Sequence, residues 1–436
     1  MAHLSQRPNV LIVFADQLCA QTTGSAGDPN ACTSGLDRLV GESLNLTHAV
    51  SRHPVCCAYR ASLMTGQYPL IYGVYVNAVP LGDGHVLIAQ AFAVQDYATG
   101  YTGKWHLYGS PDGAYGRHAA CIPPQSQQGF DTWKAFGCSY RYHTSPCFAD
   151  DFREPRLGDG YDAVAQTEEA CRYISDHGDQ QPFFLMLFSG PPHAPYDEAP
   201  ADCLARFRDR EIRLRPNVPA AQRAVAIRTL HRYYAHIAAL DGCVAALLGG
   251  LEERGITEDT RLVFTADHGD MHFSQGLQAK HCPWDESSRV PFLLRCPRCL
   301  GHQGRCGDLL LEAPDTMPTL LGLVVWAEGA LDGGEARSHA AAVRPGRSPR
   351  TLLGLSVGAS QLRYAAHPEI TGLPWRAYPR HIYVRNIQGP WLLYDHEADP
   401  HQRPTSSVTD SVTIGRLPTP GGCSPRSVDN PVTVAG

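Results

Sequence analysis

The stretch NVLIVFADQ, Asn9 to Gln17, decides how the chain is read. After Asn9, five residues, Val10–Phe14, carry large apolar side chains with no polar alternation. A strand of that kind has both faces buried, as in the middle of a parallel sheet. It ends abruptly in Ala15-Asp16-Gln17. Two later stretches repeat the pattern. PFFLMLF, 182–188, leads into Ser189-Gly190-Pro191-Pro192-His193, and RLVFT, 261–265, leads into Ala266-Asp267-His268-Gly269-Asp270. Between them, Ala224 to Arg254 places Ile227, Leu230, Tyr234, Ile237, Val244, Leu247 and Leu251 at roughly helical spacing. Strands alternating with helices predict an α/β domain, with a large, mostly parallel mixed sheet sandwiched by helices. The polar residues closing each run are then expected at the carboxyl ends of strands, where ligands gather in such sheets.

Composition sets the outer limits. With 436 residues, 43% of them hydrophobic, the chain can bury a large core. Residues 1–331 read as one catalytic α/β domain. From Asp332 to Ser348, Gly, Pro and Arg suggest a linker. HIYVRN and PWLLYD follow, separated by Gln388-Gly389-Pro390, so 332–400 reads as a small subdomain with an antiparallel sheet. Residues 401–436 are rich in Ser, Thr, Pro and Gly without periodicity and are expected to be disordered. A net charge of −6 gives no footprint for nucleic acid or an anionic membrane. The apolar run Val10–Ala15 is too short for a signal sequence or a membrane span, so a cytoplasmic protein is expected. Its fifteen cysteines are then expected to be mostly reduced. Cys296-Pro-Arg-Cys299, with Cys306 nearby, offers three local sulfurs where a structural zinc needs four ligands, and reads as loop thiols.

The chemistry concentrates in a few places. Asp16-Gln17 and Asp267-His268 each end a strand, and oxygen ligands from two strand ends suit a hard divalent cation. A histidine ligand also tolerates Mn²⁺ or Zn²⁺. Taken singly, each aspartate has a plainer role as a helix cap or turn residue. HPVCCAYRASLMTGQYP, 53–69, sets Cys56 at the start of a helix, with Arg60 one turn on. The helix terminus and Arg60 are expected to lower the thiol's pKa, and Arg60 to clamp an anion. Lys104 and His106 stand two apart and would share one side of an extended segment. With His193 and Lys280 they would build an electropositive pocket for a tetrahedral anion.

In their order, these motifs closely resemble the sulfatase family of the alkaline-phosphatase superfamily over about residues 8 to 400. The matching pieces are Ala15-Asp16-Gln17, Cys56-Cys57-Ala58-Tyr59-Arg60 through Thr65-Gly66, Gly103-Lys104-Trp105-His106, Pro191 to Pro195, and Asp267-His268-Gly269-Asp270. Lys280 and Glu286 to Arg295 complete them. The resemblance implies hydrolysis of a small-molecule or saccharide sulfate ester. It implies that a formylglycine-generating enzyme oxidises Cys56 to formylglycine, whose hydrate is the nucleophile. One divalent cation, Ca²⁺ before Mg²⁺ or Mn²⁺, would be held by Asp16, Gln17, Asp267, His268 and the side chain at position 56. Arg60 would hold the hydrate, and Lys104 and Lys280 the sulfate oxygens. His106 would assist the hydrate's proton, and His193 with Lys280 would serve the leaving oxygen.

Two departures stand out. Gln17 and His268 replace an Asp and an Asn frequent in the family, a pairing that resembles branches with choline sulfatases and phosphonate monoester hydrolases. Ala58 replaces the proline that the modifying enzyme reads. The alternatives are therefore a phosphonate monoester hydrolase or phosphodiesterase, or a catalytically silent homologue that binds sulfated ligands. Tyr140, Tyr142, His143 and Trp375 are candidates to stack on a sugar.

Overall fold

The computed structural model describes residues 7–110, 121–149, 156–157, 160–177, 181–324, 338, 375–377, 381–386 and 389–403. Ten strands form one sheet: β1 (Asn9–Asp16), β2 (Leu44–Val50), β3 (Ala98–Lys104), β4 (Thr132–Phe136), β5 (Pro146–Ala149), β6 (Arg156–Leu157), β7 (Phe183–Pro192), β8 (Thr260–Ala266), β9 (Phe292–Arg295) and β10 (Arg305–Glu312). Their spatial order is β10-β2-β9-β8-β1-β7-β3-β4-β5-β6. β1 runs parallel to β7 and β8, and β3 parallel to β7 and β4, whereas β9 is antiparallel to β8 and β2. The mixed sheet is therefore parallel at its centre. Every residue of β1, β3, β7 and β8 is buried, which accounts for the unbroken apolar runs.

Parallel pairing brings the carboxyl ends of β1, β3, β7 and β8 to one edge. Asp16, Lys104, His193 and Asp267 therefore become neighbours although up to about 250 residues separate them. Helices flank the sheet. Arg223–Glu253 packs on β7 and on the helices Ser34–Gly41, Asp162–His177 and Ala201–Phe207. It is apolar enough to span a membrane by composition, yet most of that surface is buried inside the protein, as in a core helix. Ala313–Val324 packs on Cys56–Thr65.

Two glycines of the motifs are set by close approach. A Cβ on Gly103, at φ +104°, would lie 2.2 Å from the Phe188 carbonyl oxygen, and one on Gly269 would lie 2.0 Å from that of Glu286. Both positions exclude any larger residue.

In the second unit, β11 (Trp375–Ala377), β12 (His381–Asn386) and β13 (Gly389–Asp395) form an antiparallel sheet. β12 and β13 match the two sequence patterns; β11 was not anticipated. Tyr394 docks into a cluster with Met271, Leu277, Cys282 and Trp284, so this sheet is fastened to the segment that follows Asp267. His401 and Gln402, assigned by composition to a disordered tail, dock as well. The Asn217 amide donates to the His401 carbonyl at 2.8 Å, and the Asp285 N–H to Gln402 Oε1 at 3.1 Å. The expected disorder of 404–436 and the linker of 332–348, apart from residue 338, lie outside the described residues.

Candidate active site

Asp16 closes β1, fully buried, where the β1–β7 register shifts between Ala15 and Asp16. Its Oδ2 accepts from Lys104 Nζ at 2.6 Å and from Arg60 Nη2 at 3.0 Å. Burial alone would raise this carboxyl, but Lys104, His193, Arg60 and Lys280 hold it well below the usual carboxylate range. Arg60 is anchored in turn. Its Nη1 donates to the Lys104 carbonyl at 2.7 Å, and its guanidinium lies 4.9 Å from the Phe14 ring centre and 5.2 Å from that of Phe188.

Cys56 begins the helix Cys56–Thr65, as anticipated. Its Sγ stands 3.2 Å from His268 Nε2, 3.7 Å from Asp16 Oδ1, and accepts from Lys280 Nζ at 3.1 Å. The expectation of a lowered pKa is wrong. Burial first, then Asp16, pushes the thiol up to about 12, because two carboxylates and desolvation outweigh the helix start and the nearby cations. A thiol held protonated is a poor nucleophile. Cys57 points elsewhere, donating to the His106 carbonyl at 2.9 Å.

Asp267 and His268 follow β8. Asp267 Oδ1 accepts from the Gln17 N–H at 2.9 Å and the His268 N–H at 3.0 Å. Its Oδ2 is buried without a hydrogen bond among the described residues; Arg60 Nη2, at 3.7 Å, is in ion-pair range only. Burial, reinforced by Asp16, pushes the Asp267 carboxyl up to about 7. The His268 Nδ1 bonds the Gly269 carbonyl at 3.0 Å, which places the proton there and leaves Nε2 as a lone-pair donor facing Cys56. Burial and then Lys280 hold this imidazole neutral.

Ligand atoms of Asp16, Cys56, Asp267 and His268 thus lie within 4.8 Å of one another. The donor set, two carboxylates and a neutral imidazole with one carboxylate oxygen unpartnered, fits a divalent cation. Gln17, at φ 66°, stands beside this group. Its Nε2 donates to Asp270 Oδ2 at 2.6 Å and to the Tyr196 hydroxyl at 2.9 Å, and its Oε1 accepts from Lys280 Nζ at 3.2 Å.

His193 lies half-buried in the same place. Its Nδ1 bonds the Ala194 carbonyl at 2.7 Å and its Nε2 accepts from Lys280 Nζ at 2.9 Å. Burial and then Lys280 lower its pKa to about 3. His106 departs from expectation: β3 stops at Lys104 and His106 turns to φ 59°, so the two do not share one side of a strand. His106 meets the site through its backbone, at Cys57.

Three contributors escaped sequence reasoning. Asp270 lay inside the quoted Asp267–Asp270 motif without a role; its Oδ2 also accepts from the Tyr196 hydroxyl at 2.6 Å. Tyr196 directly follows the His193 motif. Asn77 caps the N–H of Cys57 at 3.2 Å. Of the proposed sugar platforms, Tyr142 is fully buried and packs instead, its hydroxyl donating to the His193 carbonyl at 2.7 Å. Tyr140 is 36% exposed, stacks on His193 at 4.9 Å and covers Lys104. His143 lies against Tyr161. The Trp375 side chain lies outside the described residues. A cavity of ≈ 350 Å³ opens over Gln17, Asn77, Tyr140, His193, Tyr196 and Lys280.

Carboxylates, lysines, an arginine and histidines drawn around one position at the carboxyl edge of an α/β sheet define a hydrolase of tetrahedral anionic esters. The comparisons give the family. The sulfatase family model matches residues 8–324. An ulvan-active sulfatase of Formosa agariphila is 34% identical over 403 residues, covering 91% of this chain and 76% of its own length. A Bacteroides fragilis structure assigned to the sulfatases superposes with a TM-score of 0.83 at 24% identity, covering 92% of each chain. A structure solved with its substrate D-glucosamine-2-N,6-O-disulfate gives 0.75 at 18% identity, covering 91% of this chain and 92% of its own. The chain belongs to the sulfatase family of the alkaline-phosphatase superfamily and is a sulfuric ester hydrolase.

Proposed function

We propose that the protein removes sulfate from a saccharide sulfate ester, using a formylglycine made from Cys56 and one divalent cation. The observation that carries this reading is the meeting of Asp16, Cys56, Asp267 and His268 within 4.8 Å, with Arg60, Lys104 and Lys280 close by. Asp16, Gln17, Asp267 and His268 would hold the cation, Ca²⁺ first, which would polarise the sulfate and acidify the attacking hydroxyl. The hydrated aldehyde at position 56 would supply that hydroxyl.

The chain's own residues do the rest. Arg60, fixed by the Lys104 carbonyl and two aromatic rings, orients the side chain at 56. Lys104 and Lys280 face the equatorial sulfate oxygens, where charge develops. Lys280 Nζ donates to His193 Nε2, so the pair presents one transferable proton beside the leaving oxygen. Tyr140 flanks this pair at the cavity wall, and the aglycone or sugar ring occupies the ≈ 350 Å³ space beyond it. The saccharide class is supported by the disulfated glucosamine bound to the structural neighbour.

The test joins three measurements on protein matured in its native host. Peptide mass at Cys56 reads the aldehyde, elemental analysis reads the metal, and turnover of aryl sulfate is set beside aryl phosphonate and a panel of sulfated monosaccharides. Aldehyde with sulfate turnover is expected. An intact thiol at Cys56 in active protein overturns the nucleophile, and faster phosphonate turnover overturns the substrate class.

A further inference from the structure

At the opposite edge of the sheet, a second group of cysteines is unrelated to the sulfate site. Cys296 follows β9 directly, and Cys299 stands one turn on, its N–H donating to the Cys296 carbonyl at 3.0 Å. Cys296 is 2% exposed and Cys299 half-buried. Arg261, second residue of β8 and buried at 5% exposure, reaches both: Nε donates to Cys296 Sγ and Nη2 to Cys299 Sγ, each at 3.4 Å. Among the described residues its Nη1 has no hydrogen-bond partner and no carboxylate lies within ion-pair distance of it. A buried guanidinium without a carboxylate is costly, and these two sulfurs are the groups placed to offset it.

The arrangement selects among uses of two thiols. A cationic guanidinium on both sulfurs opposes a zinc ion. Cys306, the third local sulfur, is exposed on β10, paired with Asn45 of β2, which pairs with Leu293 of β9. It is thus two strands from the pair's own strand. The same guanidinium favours a thiolate. We propose that Cys296 and Cys299 form a thiol–disulfide exchange pair that reacts with low-molecular-weight disulfides, Cys299 attacking and Arg261 stabilising its thiolate. Cys296 suits the second role. Its hydrogen bond to Cys299 and then its burial keep the proton on it until the first step is complete.

The step balances. The Cys299 thiolate attacks one sulfur of the external disulfide, forms a mixed disulfide and expels one thiolate. Cys296 then gives its proton to solvent and attacks Cys299 Sγ, closing the intramolecular bond and expelling the second thiolate. The protein loses two hydrogen atoms while one external disulfide becomes two thiols.

The experiment uses the full-length protein in buffers of reduced and oxidised glutathione, with remaining thiols alkylated and mapped by mass. The two cysteine peptides, which trypsin separates after Arg298, are expected to stay joined under oxidation and to part on reduction. Cys296→Ser should leave one glutathione on Cys299. Arg261→Gln should slow modification of Cys299 near neutral pH by ~10-fold or more, as loss of an adjacent opposite charge predicts, and Arg261→Lys should restore part of it. Failure of the wild-type peptides to join, with Cys299 reacting no faster than the exposed Cys306, would overturn the proposal. So would a stoichiometric zinc released by alkylating the pair.

Discussion

Each end of β8 lies near cysteine and arginine side chains, and the thiols at the two ends face different surroundings. At the carboxyl end, Cys56 lies against Asp16, with Asp267 close by, and Arg60 is already paired with Asp16. Burial and those carboxylates hold the thiol protonated, with its pKa pushed up to about 12. At the amino end, roughly 20 Å away along the strand, Arg261 meets Cys296 and Cys299 with no carboxylate between them. An arginine nearby does not by itself make a reactive thiol; what decides is whether an acid has already claimed the guanidinium. This difference sets a protonated thiol at Cys56 against a guanidinium shared by two sulfurs at the other end of the strand.

The comparison breaks most visibly at the nucleophile. Cys56→Ala should lower kcat on an aryl sulfate by about 10⁶, the scale of a lost covalent nucleophile, with folding retained by circular dichroism. If turnover persists, position 56 is not the attacking group. His193→Ala should cost roughly 10²–10⁴ on an alkyl sulfate, where the leaving oxygen needs a proton, and much less on an activated aryl sulfate. Equal losses on both would remove His193 from the proton transfer.

Metal removal sharpens the carboxylate side. Chelation should abolish turnover and lower Tm, and a cation at 100 times its Kd should restore about 2.7 kcal/mol. Calorimetry with Ca²⁺, Mg²⁺ and Mn²⁺ then ranks the ions. A Tm indifferent to chelator would mean that Asp267 needs no cation.

Asp162 provides a buried acid with neither an arginine nor a ligand group in contact. Ser145 donates to its Oδ2 at 3.0 Å, and burial pushes it up to about 7. Because the folded value is above the unfolded one, its stabilising share is complete below about pH 4 and is lost as pH rises through about 7. Asp162→Asn should therefore flatten the fall in Tm between about pH 4 and 7, and an unchanged slope would assign that fall to other groups.

Much of the architecture was legible because two-face burial demands uninterrupted apolar runs. β1, β7, β8, the helix Arg223–Glu253 and the helix at Cys56 fall where the patterns placed them. β11 was missed because a three-residue strand has no period to read. His106 was misread because a positive φ at a non-glycine residue has no local signature. Asp270 and Tyr196 went unassigned because they orient Gln17 from 253 and 179 residues away, respectively.

The amino-acid order alone determined which residue types could do the chemistry and that Asp16 would close a strand, Asp267 would follow one and Cys56 would open a helix. It could do so because burial periodicity and strand-ending polar residues are local properties. Only the folded molecule decided the protonation of Cys56, the unpartnered oxygen of Asp267 and the hold of Arg261 on two sulfurs. Charge energies depend on distance and desolvation, and both exist only after remote strands have paired.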